Sequence, residues 1–93
     1  MTSRTVTVSN QLGLHARAAA RFVHTAKQFT SQIRVSRGTR TMDGKSIMGI
    51  LLLAAGHGAA IVISADGTDE AAALDALAGL VESDSGEEVS WNS

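Results

Sequence analysis

The chain has 93 residues, which suits one domain and leaves no room for a second. Its hydrophobic fraction of 44% with 3% aromatics calls for an aliphatic core, and the absence of cysteine excludes disulfides, thiolate metal sites and cysteine nucleophiles. The net charge of −1 conceals a division: all eight Lys and Arg residues lie from Arg4 to Lys45, and eight of the nine acids lie from Asp66 to Glu88. Such a division reads either as two differently solvated faces or as a basic docking surface aimed at an acidic partner.

In chain order, Arg4 to Val8 alternates polar and apolar residues and reads as a strand with Val6 and Val8 on one face. A polar, glycine-containing loop from Ser9 to Gly13 precedes a helix expected from Ala16 to about Phe29. Ala19, Phe22, Val23, Ala26 and Phe29 form its apolar face, and Arg17, Arg21, His24 and Gln28 fall opposite, a basic stripe that begins beside His15. Ile33 and Val35 mark a second strand, Arg37-Gly38 a hairpin turn, and Thr39 to Met42 a returning strand broken by Asp43-Gly44. Ser46 is placed to cap a short helix through Leu53, with Gly56 as its expected stop. Ala60 to Ala65 reads as a fourth strand. Thr68 is the expected cap of a last helix striped by Leu74, Leu77 and Val81, with Asp69 and Glu70 in its first turn.

The order strand, helix, strand, strand, helix, strand, helix predicts an α+β domain of two layers, an antiparallel sheet with helices on one side. Residues 1–85 are expected to form that domain and residues 86–93 an acidic tail carrying Trp91. Residues 1–12 lack a basic start followed by an apolar run, and the longest apolar stretch, Ile47 to Ala55, is too short to span a bilayer. A cytoplasmic protein without membrane attachment is the expectation.

His15 is the residue with chemical promise. A histidine near a helix start is often only a surface or capping residue. Here Gly13 permits close backbone approach, Arg17 can reach an anion, and the helix N-terminus supplies unpaired donors and a positive dipole end. Phosphate is the obvious anion, and a neutral imidazole is a nucleophile that can carry it. His24 reads as a solvated residue on the basic face and His57 as a loop residue between glycines; the three histidines share no metal-binding spacing. Gly44-Lys45-Ser46 is similar to the end of a nucleotide-binding loop but fails its spacing. Ser46 is then a plain helix cap or a regulatory phosphorylation site, and Ile47 and Met48 are exposed apolar contacts. Nucleic acid is disfavoured by the scarcity of aromatics.

Residues 13–23, with Lys45-Ser46-Ile47-Met48-Gly49 and with Ile63-Ser64-Ala65-Asp66-Gly67 before an alanine-rich helix, resemble the HPr family, histidine-containing phosphocarriers of the bacterial phosphoenolpyruvate-dependent phosphotransferase system. The resemblance spans about residues 3–85. It implies an open-faced sandwich of four antiparallel strands covered on one face by three helices, a monomer without metal or organic cofactor. It implies that His15, through Nδ1, accepts a phosphoryl group from phosphorylated enzyme I and passes it to a histidine of an enzyme II A domain. Arg17 would stabilise the phosphate; Ala16, Arg21, Ile47 and Met48 would form the docking surface; the residue matching Ser46 is, in some bacteria, the target of a dedicated kinase. A sugar-uptake branch, a nitrogen-related regulatory branch, and an interaction module that carries no phosphate all remain open. Ala18 stands where the family usually has proline and keeps an N–H that proline lacks. Asp43-Gly44 differs from the family's usual small or amide residues there, and the tail runs past the family's usual end.

Overall fold

The alternation seen in the sequence becomes one sheet in the computed structural model, which describes residues 1–9 and 13–82. The elements are β1 (Thr2–Thr7), α1 (Ala16–Ala26), β2 (Gln32–Arg37), β3 (Arg40–Asp43), α2 (Ile47–Leu52), β4 (Ala60–Asp66) and α3 (Glu70–Glu82). The strands lie in the order β1-β4-β2-β3, and every neighbouring pair is antiparallel. This is the expected βαββαβα order and the expected open-faced α+β sandwich. The acidic tail with Trp91 lies outside the described residues.

Successive side chains of a strand point to opposite faces, so Val6, Ile33, Val35, Ile61, Ile63 and Ala65 all turn toward the helices, where they are buried. Phe22, Val23 and Ala26 of α1, Ile50 of α2, and Leu74, Leu77 and Val81 of α3 close over them. The opposite face is polar, with Ser3, Thr5, Arg34 and Thr41 exposed. Among the described residues only Phe22 contributes an aromatic ring to the fully buried set, so the core they form is aliphatic as the composition requires.

Three helix ends differ from the sequence expectation, each for a contact distant in the chain or a local backbone choice. α1 stops at Ala26, not Phe29: Gln28 and Phe29 N–H donate to Thr25 and Ala26 carbonyls at 3.0 and 3.2 Å, tightening the last turn. Asp69 then draws the chain away. Its carboxylate accepts from Thr30 N–H and Ser31 N–H, both at 2.9 Å, and from the Ser31 hydroxyl. α2 ends at Leu52, and Ala54 rather than Gly56 takes the left-handed conformation, at φ 53°. α3 begins at Glu70; its first bond runs from Ala73 N–H to the Asp69 carbonyl, so Asp69 and not Thr68 occupies the cap position.

The same contacts hold the Asp69 carboxyl down to about 2 from 3.8, chiefly through the Ser31 hydroxyl and then Thr30 N–H. A depressed carboxyl contributes stability that is complete above its unfolded value and is lost as pH falls through about 2. Asp69→Asn is therefore expected to lower the melting temperature at pH 7 and to flatten its decline between about pH 4 and pH 2. Thermal unfolding across that range checks this; an unchanged acid profile contradicts the role of Asp69.

Candidate functional site

His15 is the N-cap residue of α1, with φ −86° and ψ −175°, and its side chain makes no capping hydrogen bond. The ring is exposed while the backbone around it is fastened. Ala19 N–H donates to the His15 carbonyl at 2.7 Å, His15 N–H to the Gly13 carbonyl at 2.8 Å, and Leu14 N–H to the Ala55 carbonyl at 2.8 Å. Leu14 is buried and anchors the segment in the core. Gly13 sits at φ 74°, and a Cβ there would meet the Ala55 oxygen at 2.5 Å and Gly56 Cα at 2.7 Å. Glycine is needed both for the dihedral and for the approach. The imidazole is thus an exposed group on a fixed mount.

A helix leaves its first N–H groups without acceptors of its own and carries its positive dipole end there. His15 stands directly before those groups, and α1 has no acid in its first turn to compete for them. Arg17 is exposed two residues on, and Arg21 is half-buried one turn further. Together these features suit an anion on His15.

α2 runs antiparallel to α1. Lys45, just before α2, donates through Nζ to the Phe29 carbonyl past the far end of α1 at 2.7 Å. At the other end of α2, Leu51, Ala54, Ala55 and Gly56 line a shallow hollow with Leu14 and His15. Ser46 caps α2, accepting from Gly49 N–H at 3.1 Å. It therefore lies at the end of α2 away from His15, with about 9 Å of helical rise between. Beside it Ile47 is 46% exposed and Met48 65%, joined one turn on by Leu52 at 51%. With half-buried Leu51 they form an apolar ridge that reaches the His15 hollow. Sequence reasoning singled out Ile47 and Met48 but missed Leu51 and Leu52, although both lie four residues on, on the same helical face.

The charge division proves to be mostly structural outside α1. Arg4 pairs with Asp75 at 2.8 Å. Arg37 donates to the Leu53 and Ala54 carbonyls at 3.1 and 3.2 Å, Arg40 to the Leu52 carbonyl at 2.7 Å, and Lys45 to Phe29 as described. Along α1, Arg17, Arg21, His24 and Lys27 form the basic stripe that the sequence placed beside His15. His57 is exposed in its turn, and no cluster of three metal-ligating side chains occurs among the described residues. Among them, no helix is long and apolar enough to cross a membrane.

The fold, with an exposed histidine at a helix start, defines a class of small open-faced α+β sandwiches, and known proteins specify which. Residues 2–83 match the family described as PTS HPr component phosphorylation site. The phosphocarrier protein HPr of Cupriavidus necator is 47% identical over 87 residues, covering 94% of this chain and 98% of the relative. Crystal structures of HPr-C-His from Thermoanaerobacter tengcongensis and of HPr from Bacillus anthracis superpose with TM-scores of 0.88 and 0.85. They are 45% and 43% identical, covering 92% and 87% of this chain and 97% and 96% of theirs. The chain belongs to the HPr family of phosphocarrier proteins.

Ala54 is the only non-glycine residue at positive φ among the described residues, and it borders the hollow. Left-handed backbone costs a residue with a Cβ about 1–2 kcal/mol, so Ala54→Gly is expected to raise stability by about 1 kcal/mol. Gly13→Ala is expected to act oppositely and more strongly. Denaturant titration measures both, and a loss on Ala54→Gly would contradict the strain.

Proposed function

We propose that this chain carries a phosphoryl group on His15, accepting it from phosphorylated enzyme I and passing it to a histidine of an enzyme II A domain in the cytoplasm. The observation that carries the reading is the exposed imidazole at the start of α1, unused in capping, beside an apolar ridge. The Nδ1 lone pair attacks phosphorus; the bond to the donor atom breaks with its electron pair staying on the donor as the new N–P bond forms. Transfer onward reverses these roles with the acceptor's nitrogen as nucleophile. Such a reaction asks the protein for positioning and charge stabilisation rather than covalent machinery of its own. The first-turn N–H groups supply donors to the phosphoryl oxygens, Ala18 among them, and Arg17 supplies a cation.

Donor and acceptor must recognise one surface. Ala16, Arg21, Ile47 and Met48 make it, apolar on α2 and basic on α1, which fits acidic partners with apolar centres. A kinase acting on Ser46 would add close to two negative charges beside Ile47 and Met48 without touching His15. The expected result is weaker docking with intact phosphoacceptor chemistry. Residues 1–85 carry all of this as one monomeric domain, with the tail from residue 86 outside it.

Incubation with phosphoenolpyruvate and enzyme I, followed by mass measurement, is expected to show one acid-labile phosphate on the wild type and none on His15→Ala. An unmodified wild type beside active enzyme I would overturn the proposal. Arg17→Ala is expected to keep the fold and slow transfer by about tenfold or more; unchanged kinetics would remove Arg17 from the mechanism. Ser46→Asp is expected to raise the KM for enzyme I, and a normal KM would argue against regulation at Ser46.

A further inference from the structure

Arg37 and Arg40 stand directly opposite each other across the β2–β3 hairpin. They lie two residues beyond the paired core positions Val35 and Met42, so both project to the helix side of the sheet. Like charges facing each other on neighbouring strands destabilise a hairpin. Compensation comes from another element. Arg40 Nη1 donates to the Leu52 carbonyl at 2.7 Å, and Arg37 Nη1 to the Leu53 and Ala54 carbonyls at 3.1 and 3.2 Å. The last carbonyls of a helix lack intrahelical donors and carry its negative end. α2 has no basic residue in its own last turn. The two guanidinium groups supply that charge from the hairpin.

The segment they hold leads directly to the histidine. Ala54, in its strained left-handed conformation, and Ala55 line the hollow beside His15, and the Ala55 carbonyl receives Leu14 N–H. Without the arginines, three unpaired carbonyls would mark the helix end next to the place where a phosphoryl anion must sit. We infer that Arg37 and Arg40 are positioning residues for the phosphoryl site, resting on the carrier reading above. They fix the Leu52–Ala55 wall against which Leu14 and His15 are mounted, and they offset its negative charge.

The test compares wild type with Arg37→Gln/Arg40→Gln, which keeps amide donors without charge, and with Arg37→Lys/Arg40→Lys, which keeps the charge. Enzyme I-dependent phosphorylation is expected to show kcat reduced about threefold or more in the Gln variant at unchanged KM, because the Ile47–Met48 ridge is intact. The Lys variant is expected to recover to within about twofold, since charge is what the carbonyl end requires. Hydrogen exchange at Leu14 N–H is expected to quicken by about tenfold in the Gln variant as the wall loosens. Where the double Gln variant fails to fold, Arg40→Gln alone gives the same kcat-against-KM readout. A folded Gln variant with wild-type kcat overturns the positioning role. So does a loss confined to KM, which would make the arginines partner contacts. A wild type that takes no phosphate overturns the carrier reading and this inference together, whereas a phosphorylated wild type with indifferent variants overturns this inference alone.

Discussion

One backbone hydrogen bond, from Leu14 N–H to the Ala55 carbonyl at 2.8 Å, fastens the residue before His15 to the segment that follows a different helix. Its formation depends on Gly13, since any Cβ there would strike the acceptor oxygen itself. It depends equally on Ala54, whose left-handed backbone turns the chain after α2 so that Ala55 presents its carbonyl. Strain at such a position persists only where the surroundings hold it. Buried Leu14 and Leu53 on either side, with the guanidinium groups of Arg37 and Arg40, provide that hold. An exposed imidazole can then sit at a helix start without sampling many orientations of its backbone, and reduced reorganisation is where a phosphoryl carrier gains rate.

The antiparallel setting of α1 and α2 distributes the surface around that bond. The start of α1 and the end of α2 meet at His15, while Ser46 and Lys45 mark the opposite end beside Phe29. Between them the exposed Ile47, Met48 and Leu52 are three of the four large apolar side chains left exposed among the described residues, the other being Met1. Their concentration on a six-residue helix near His15 is the pattern that the proposed docking surface requires. On the proposed reading, docking and chemistry share one face yet stay separable, so that charge added at Ser46 would affect recognition while leaving the imidazole alone.

Local pattern made most of the fold legible. Alternation in Ile33 to Val35 and Ile61 to Ala65, and the helical spacing of Ala19, Phe22, Val23 and Ala26, placed sheet and helices and named their buried faces correctly. His15, Ser46, Ile47 and Met48 stood out as candidates because a place at a helix terminus and exposure are local features. What the sequence concealed was long-range pairing. Asp69 captures Thr30 and Ser31 across almost forty residues of chain, ending α1 early, and nothing near either segment announces it. The charge division stayed open to two readings for the same reason: Arg4, Arg37 and Arg40 find Asp75 and the carbonyls of α2, partners distant in the chain. Gly56 is the stop that local pattern offers for α2, but Ala54 takes the left-handed conformation, and the Ala55 carbonyl after it accepts from Leu14 N–H, a pairing distant in the chain.

On the proposed reading, phosphate is carried by the fixed, exposed imidazole at the start of α1. Its most direct test is nitrogen and phosphorus NMR on the isotope-labelled chain after phosphorylation by enzyme I and phosphoenolpyruvate. A single phosphorus coupled to Nδ1 of His15 is expected, with the rings of His24 and His57 unchanged. Phosphorus bonded to His24 or His57, or to no imidazole at all, would contradict it.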